Sequence, residues 1–204
     1  MTTTILSGVT AYISTSIDYL VILMIIFGRI KKSKAFTYVY LGDILGTTVL
    51  VSAALFISFI LGLIPDPWIL GLLGFIPIVM GIMVIINDED DGEESVDKQL
   101  HASGKARIII DVALITIITC GADNIGIYVP FFVTLTMSQL IIVLITFFFM
   151  MTLFCIMGYF FGKIPLIAKA FDKYGRWITA AVYIILGLYI VYENGTFEKL
   201  LSFI

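Results

Sequence analysis

Six stretches of the chain are apolar for long enough to cross a bilayer, and little sequence is left over for anything else. They are Ile5–Phe27, Thr37–Leu63, Trp68–Ile86, Ile108–Phe132, Ser138–Phe161 and Trp177–Tyr192. A spanning helix needs about 20 mostly apolar residues to cover a hydrocarbon core of about 30 Å. Of the 204 residues, 60% are apolar and 13% charged. A soluble domain has roughly 45–50% and about 25%. One aqueous core cannot hide that excess, and a disordered chain would lack it. The expected fold class is therefore an all-α integral membrane protein with six transmembrane helices. Two cysteines are too few for a disulfide scaffold. A net charge of −3 without a broad basic surface speaks against nucleic acid as a partner. The single histidine, His101, excludes a site built from several imidazoles. The opening Met1-Thr2-Thr3-Thr4 has no basic stretch, so the first span is read as permanent rather than as a cleaved leader.

Orientation follows from where Lys and Arg fall. The first connection holds Arg29, Lys31, Lys32 and Lys34, the third Lys98, Lys105 and Arg107, and the fifth Lys163, Lys169, Lys173 and Arg176. Only Lys199 lies on the other side. The positive-inside rule places those three loops in the cytoplasm and both termini outside a cytoplasmic membrane. The third loop is also crowded with Asp88, Glu89, Asp90, Asp91, Glu93, Glu94 and Asp97, too much like charge to pack, and is expected to be a mobile linker.

That linker, residues 87–107, divides the chain into two three-helix halves, 1–86 and 108–204, and the halves echo each other. Thr15-Ser16-Ile17-Asp18 in the first span is answered by Cys120-Gly121-Ala122-Asp123 in the fourth. Gly62-Leu63-Ile64-Pro65 is answered by Gly162-Lys163-Ile164-Pro165, and Met80-Gly81-Ile82 by Leu186-Gly187-Leu188. The offsets are 105, 100 and 106 residues, in consistent order. Because three is odd, the second half must enter the membrane from the opposite side. The result is two inverted three-helix repeats, a construction that in secondary transporters sets a site near the midplane.

The intramembrane acids carry the chemistry. An ionised carboxylate at the bilayer centre costs at least about 2.5–3.5 kcal/mol, and a protein keeps one where a cation, a proton or water offsets the cost. Asp18 and Asp123 hold matching repeat positions. Thr15 and Ser14 stand three and four residues before Asp18, and Cys120 and Thr119 hold the same places before Asp123, so each acid shares a helix face with them. Two carboxylates suit a divalent cation, and a thiol favours a soft one. Asn124 offers an amide oxygen or an interhelical hydrogen bond. The hydroxyls of Ser14, Thr15 and Thr119 have a plainer use as well, bonding back to their own helices. Gly121, Gly126 and Pro130 are expected to kink or unwind the fourth span beside Asp123, and Pro77 to bend the third. Asp43 in the second span, on the small-xxx-small face of Gly42 and Gly46, is a candidate for cation entry or proton coupling. Asp111 is read as an interfacial partner of Arg107, Cys155 as packing, and Trp68, Trp177 and Tyr192 as interfacial anchors.

The run Cys120-Gly121-Ala122-Asp123-Asn124-Ile125-Gly126-Ile127-Tyr128-Val129-Pro130 resembles the signature of the bacterial CadD-type cadmium resistance transporters. Thr15-Ser16-Ile17-Asp18-Tyr19-Leu20 resembles their first-span motif. The length, the six spans and the acidic middle loop agree, so the resemblance covers essentially the whole chain. It implies a LysE-like fold within the lysine-exporter superfamily and efflux of cadmium. Some first-span motifs of that superfamily carry a second acid directly after the Asp, where this chain has Tyr19.

The resulting expectation is a secondary exporter, not an enzyme. Its substrate is Cd²⁺, with Zn²⁺ as a second, and it holds no resident cofactor. The expected metal site is Asp18, Asp123, Cys120, Thr15 and Asn124. No Gly-x-x-x-x-Gly-Lys-Ser/Thr loop is present for direct use of ATP. Proton antiport is the expected energy source, with Asp18, Asp43 or Asp123 taking the proton. The expected partners are the lipid bilayer and the metal ion, and a homo-oligomer is compatible with both. Other readings of the same residues are an amino acid or organic cation exporter, and a membrane thiol oxidoreductase using Cys120 and Cys155. An aspartyl intramembrane protease is a further one.

Overall fold

A computed structural model of the chain describes residues 1–30, 35–63, 67–86, 96, 100, 104–162 and 164–201. Among these there are helices and turns and no strand. α1 (Thr2–Arg29) and α2 (Ala35–Leu61) come first. They are followed by α3 (Pro67–Gly71), a 3₁₀ turn at Leu72–Gly74 and α4 (Phe75–Ile86). The second half holds α5 (Lys105–Val133), α6 (Met137–Phe161), α7 (Pro165–Glu193) and the short α8 (Thr196–Leu201). Among the described residues five runs are long and apolar enough to cross a membrane, namely α1, α2, Trp68–Ile86, α5 and α6. A sixth, Trp177–Glu193, is apolar but shorter.

Three expectations change in this fold. The third span is not one bent helix. Pro77 has no N–H to give Leu73 and its ring crowds that carbonyl, so the α-helical ladder fails one turn earlier, at the 3₁₀ turn. Pro77 then sits in the first turn of α4, where a missing donor costs nothing. The fourth span does not unwind, because α5 is continuous through Gly121 and Gly126 to Val133. Pro130 lies in its last turn, and the space left by Gly126 is taken by Met80 and Ile76. The last helix extends from its apolar run at Trp177 back to Pro165, a favoured first-turn residue. The backbone at Lys169, Lys173 and Arg176 is therefore helical and not loop. The acidic run of the middle linker, with His101 and Lys98, lies outside the described residues. Val96 within it is fully buried among Ile30, Ala35 and Ile108, so the linker is held against the bundle at that point.

The helices pair in a crossed pattern. α2 packs along α5, α1 along α6 and α7, and α4 along α7. Close approach is set by glycines. A Cβ on Gly42 would stand 2.7 Å from the Ile109 carbonyl oxygen, and one on Gly46 2.6 Å from Thr116 Cβ, which realises the small-xxx-small face expected of α2. Between α4 and α7, Gly74 meets the Gly187 carbonyl and Gly81 the Ala180 carbonyl. α6 starts in a capping box, in which the Gln139 N–H donates to Thr136 Oγ1 and the Thr136 N–H to Gln139 Oε1. Ile110, Leu114, Ile118 and Ala122 form an exposed stripe along α5 at four-residue spacing, the face such a helix turns to lipid.

Candidate functional site

α1 is the central helix, with 67% of its apolar window inside the bundle against 22–39% for the other four spans. Its interior face is lined by small and hydroxyl residues, Gly8, Ala11, Ser14, Thr15 and Ser16. Between Ser7 and Phe27 the one exposed residue is Asp18. Its carboxylate is thus accessible in the middle of the most buried helix. A charge facing hydrocarbon there would cost several kcal/mol.

Asp123 on α5 borders the same region. It is half-buried and close enough to Asp18 for the two charges to act on each other. Cys120, one turn earlier, is a free, buried thiol within electrostatic reach of Asp123, Asp18 and Asp43. Asn124 is buried with its Oδ1 unpaired, an acceptor left available inside the protein. The sequence-predicted acids, thiol and amide thus share one neighbourhood. They do not close into a cage, since among the described residues no three His, Cys, Asp or Glu side chains converge tightly enough to hold a metal ion.

The hydroxyls take the plainer of their two roles. Ser14 donates to the Ala11 carbonyl at 2.7 Å, and Thr119 to the Ile115 carbonyl at 2.7 Å. Thr15 turns its hydrogen toward the Ala11 and Tyr12 carbonyls, at 3.4 and 3.2 Å. It also shares a hydrogen bond with the Tyr128 hydroxyl at 2.7 Å. This buried bond ties α1 to α5 beside both acids. Tyr128 also closes an aromatic cluster with Phe147 (centroids 4.7 Å) and Phe132 (5.6 Å), and Tyr12 packs edge-on against Phe147 and Phe154, each at 5.5 Å. The cluster joins α1, α5 and α6 on one side of the acids.

Asp43 is buried to 1% on the inner face of α2. Thr47 donates to its Oδ1 at 3.3 Å, while Oδ2 has no bonded partner. The Tyr19 hydroxyl faces this carboxyl and bonds Thr116 Oγ1 at 2.7 Å. From α7, the fully buried Tyr183 turns its hydroxyl toward Asp123 without reaching hydrogen-bond geometry. Tyr19, Thr116, Tyr128 and Tyr183 are site residues that motif reasoning missed. Tyr19 and Tyr128 had a signal, since both lie in the quoted motifs. Tyr183 sits among other large apolar residues and had none.

No curated protein and no solved structure matches the chain. The model of the cadmium resistance transporter family (Cad) matches residues 12–203, nearly the whole length and both acid-bearing motifs. The chain is a multi-pass membrane protein, and it belongs to the cadmium resistance transporter family.

Proposed function

We propose that the protein exports Cd²⁺, with Zn²⁺ as a second substrate, across the cytoplasmic membrane in exchange for protons. It does so as a six-span bundle of two inverted repeats with both termini outside. The observation that carries this reading is the pair Asp18 and Asp123, near enough for their charges to act on each other, with Asp18 exposed on the most buried helix. The cation would be met there by the two carboxylates, with Cys120, Asn124 and Thr15 around them. An uncaged arrangement suits an ion that must leave as readily as it enters. Cys120 and Cys155 are both free, buried thiols. The six apolar runs contain no Lys or Arg to hold the carboxylate of a zwitterion.

The repeat reading is supported by contacts that exchange under the sequence offsets. Gly81 meets Ala180 and Gly187 meets Gly74, a pair related by 106 residues in each direction. Gly46 meets Ala113, and Gly8 meets Thr146, its counterpart at offsets of 105 and 100. The packing of α2 on α5 answers that of α6 on α1 in the same way. The α-helical extension from Pro165 to Arg176, which carries Lys169, Lys173 and Arg176, would lie at the cytoplasmic end of the short sixth span. Proton exchange is proposed on energetic grounds. Moving a charge outward against 100 mV costs about 2.3 kcal/mol, and a divalent ion carries two.

The test is isothermal titration of Cd²⁺, Zn²⁺ and Mn²⁺ into the purified protein and into Asp18→Asn and Asp123→Asn. Cd²⁺ is expected to bind the wild type. Each variant is expected to lose at least about tenfold in affinity, or 1.4 kcal/mol. Undiminished binding by Asp123→Asn overturns the site, and no Cd²⁺ binding by the wild type overturns the substrate.

A further inference from the structure

The hydrogens around Asp43 can be counted. Thr116 has one hydroxyl hydrogen, and it donates to the Val112 carbonyl at 2.9 Å, which can only accept. In the 2.7 Å contact between Tyr19 and Thr116 the donor must then be Tyr19. With its hydrogen spent, the Tyr19 oxygen presents only a lone pair to the Asp43 carboxyl that it faces. An ionised Asp43 would set lone pairs against a lone pair in a fully buried place, with Oδ2 unsatisfied. A neutral Asp43 removes the conflict. Thr47 then donates to the carbonyl oxygen Oδ1, and a small rotation of the carboxyl would give the acid hydrogen on Oδ2 the Tyr19 oxygen as acceptor. The chain would then run one way, from Asp43 O–H to Tyr19 O–H, to Thr116 O–H, to the Val112 carbonyl. Among the described residues, the other titratable groups within electrostatic reach are Tyr12 from α1, Cys120 and Tyr128 from α5, and Cys155 from α6. None of these is a cation that would hold Asp43 ionised.

We propose that Asp43 is a proton-binding site, filled in this conformation, and that Tyr19 senses its proton by switching partners between α5 and α2. Only one bond breaks. The Asp43 O–H gives its proton to water once a change of conformation opens this buried place, and the carboxylate left behind needs a donor. Tyr19 is the hydroxyl in place to supply it, and it can do so only by giving up Thr116 or by reversing the chain. Tyr19 follows Asp18 directly, and Thr116 lies one turn before Cys120. The proton on Asp43 therefore decides whether α1 is tied to α5 beside the cation site or to α2. The inference rests on the proton-exchange reading for its purpose, but its chemistry does not involve the metal.

The test uses the full-length protein in lipid nanodiscs without metal. Infrared spectra at neutral pH are expected to show the carbonyl stretch of a buried protonated carboxyl group. Asp43→Asn should abolish that band. Tyr19→Phe should raise its wavenumber, because the acid hydrogen loses its acceptor. Thr116→Val should weaken it, because the freed Tyr19 hydroxyl can now donate to the carboxylate. Absence of the band, or its persistence unshifted in all three variants, overturns the proposal. Because no metal is added, this outcome is separate from that of the Cd²⁺ titration.

Discussion

Tyr128 and Thr15 show how a single hydroxyl pair can hold the site together. The Tyr128 and Thr15 hydroxyls bond each other at 2.7 Å in a buried place, and Thr15 also leans on its own helix. Removing the phenolic oxygen in Tyr128→Phe leaves Thr15 still bonded to α1, so the expected loss is about 1 kcal/mol of stability. Interhelical pairs in membrane proteins couple by about 0.6 kcal/mol on average, with a ceiling of about 1.7. A double-mutant cycle of Tyr128→Phe and Thr15→Val, read by unfolding in detergent, should give a coupling within that range. A coupling of zero would show that the two hydroxyls do not meet. Thr15 was legible in the sequence as a neighbour of Asp18, but its choice between ligand and tie was not. That choice depends on Tyr128, more than a hundred positions away, which only the packing of α5 brings within reach.

At the scale of elements, the glycines decide which helices touch. Gly187 lies where a Cβ would stand 2.5 Å from the Gly74 carbonyl oxygen, backbone against backbone, with no flexible side chain to yield. Gly187→Ala should therefore cost about 1–3 kcal/mol, the usual penalty for overpacking. Gly28, near the end of α1, has nothing within 4 Å of an added Cβ. Gly28→Ala should be neutral or stabilising by up to about 1 kcal/mol, from helix propensity alone. Thermal melts of the two variants in one detergent compare them directly, and equal melting temperatures would contradict the α4–α7 contact. The sequence marks both residues as glycines in apolar runs and cannot separate them. A glycine's use lies in what stands opposite, and hydropathy says nothing about that. The same reason explains Gly126, read from sequence as a weak point in α5 and found to seat Met80.

Over the whole molecule, the proposed orientation makes a direct prediction. Cys120 and Cys155 are buried, so a membrane-impermeant thiol reagent should leave the wild type unlabelled. Thr3→Cys and Glu193→Cys, at exposed positions near the termini, should label in intact cells. Ala106→Cys, at the start of α5, should label only after permeabilisation. The opposite pattern would reverse the topology drawn from Lys and Arg. The two halves are also not interchangeable. At an offset of 100, Asp43 answers to Val143, which packs near Gly8. At offsets of 105 and 100, Tyr128 and Phe147 answer to Leu23 and Thr47. In the proposed orientation the aromatic cluster fills the outer half of the bundle, and the buried acid occupies the inner half.

The sequence by itself determined the solvent in which this chain folds, the length and number of its apolar runs, and the two acids worth a search. Those properties follow from hydrophobic burial and from the cost of charge in lipid, and both are additive along a chain. It could not determine that α1 lies at the centre, that Asp18 is bared there, or that Thr15 is bound by Tyr128. Nor could it show that Tyr19 stands between Asp43 and Thr116. Each of these depends on which helix faces lie opposite one another. In a membrane, apolar surface drives no helix toward a particular partner. Small residues and a few buried hydrogen bonds make that selection, and they act only where tertiary structure has brought both partners together.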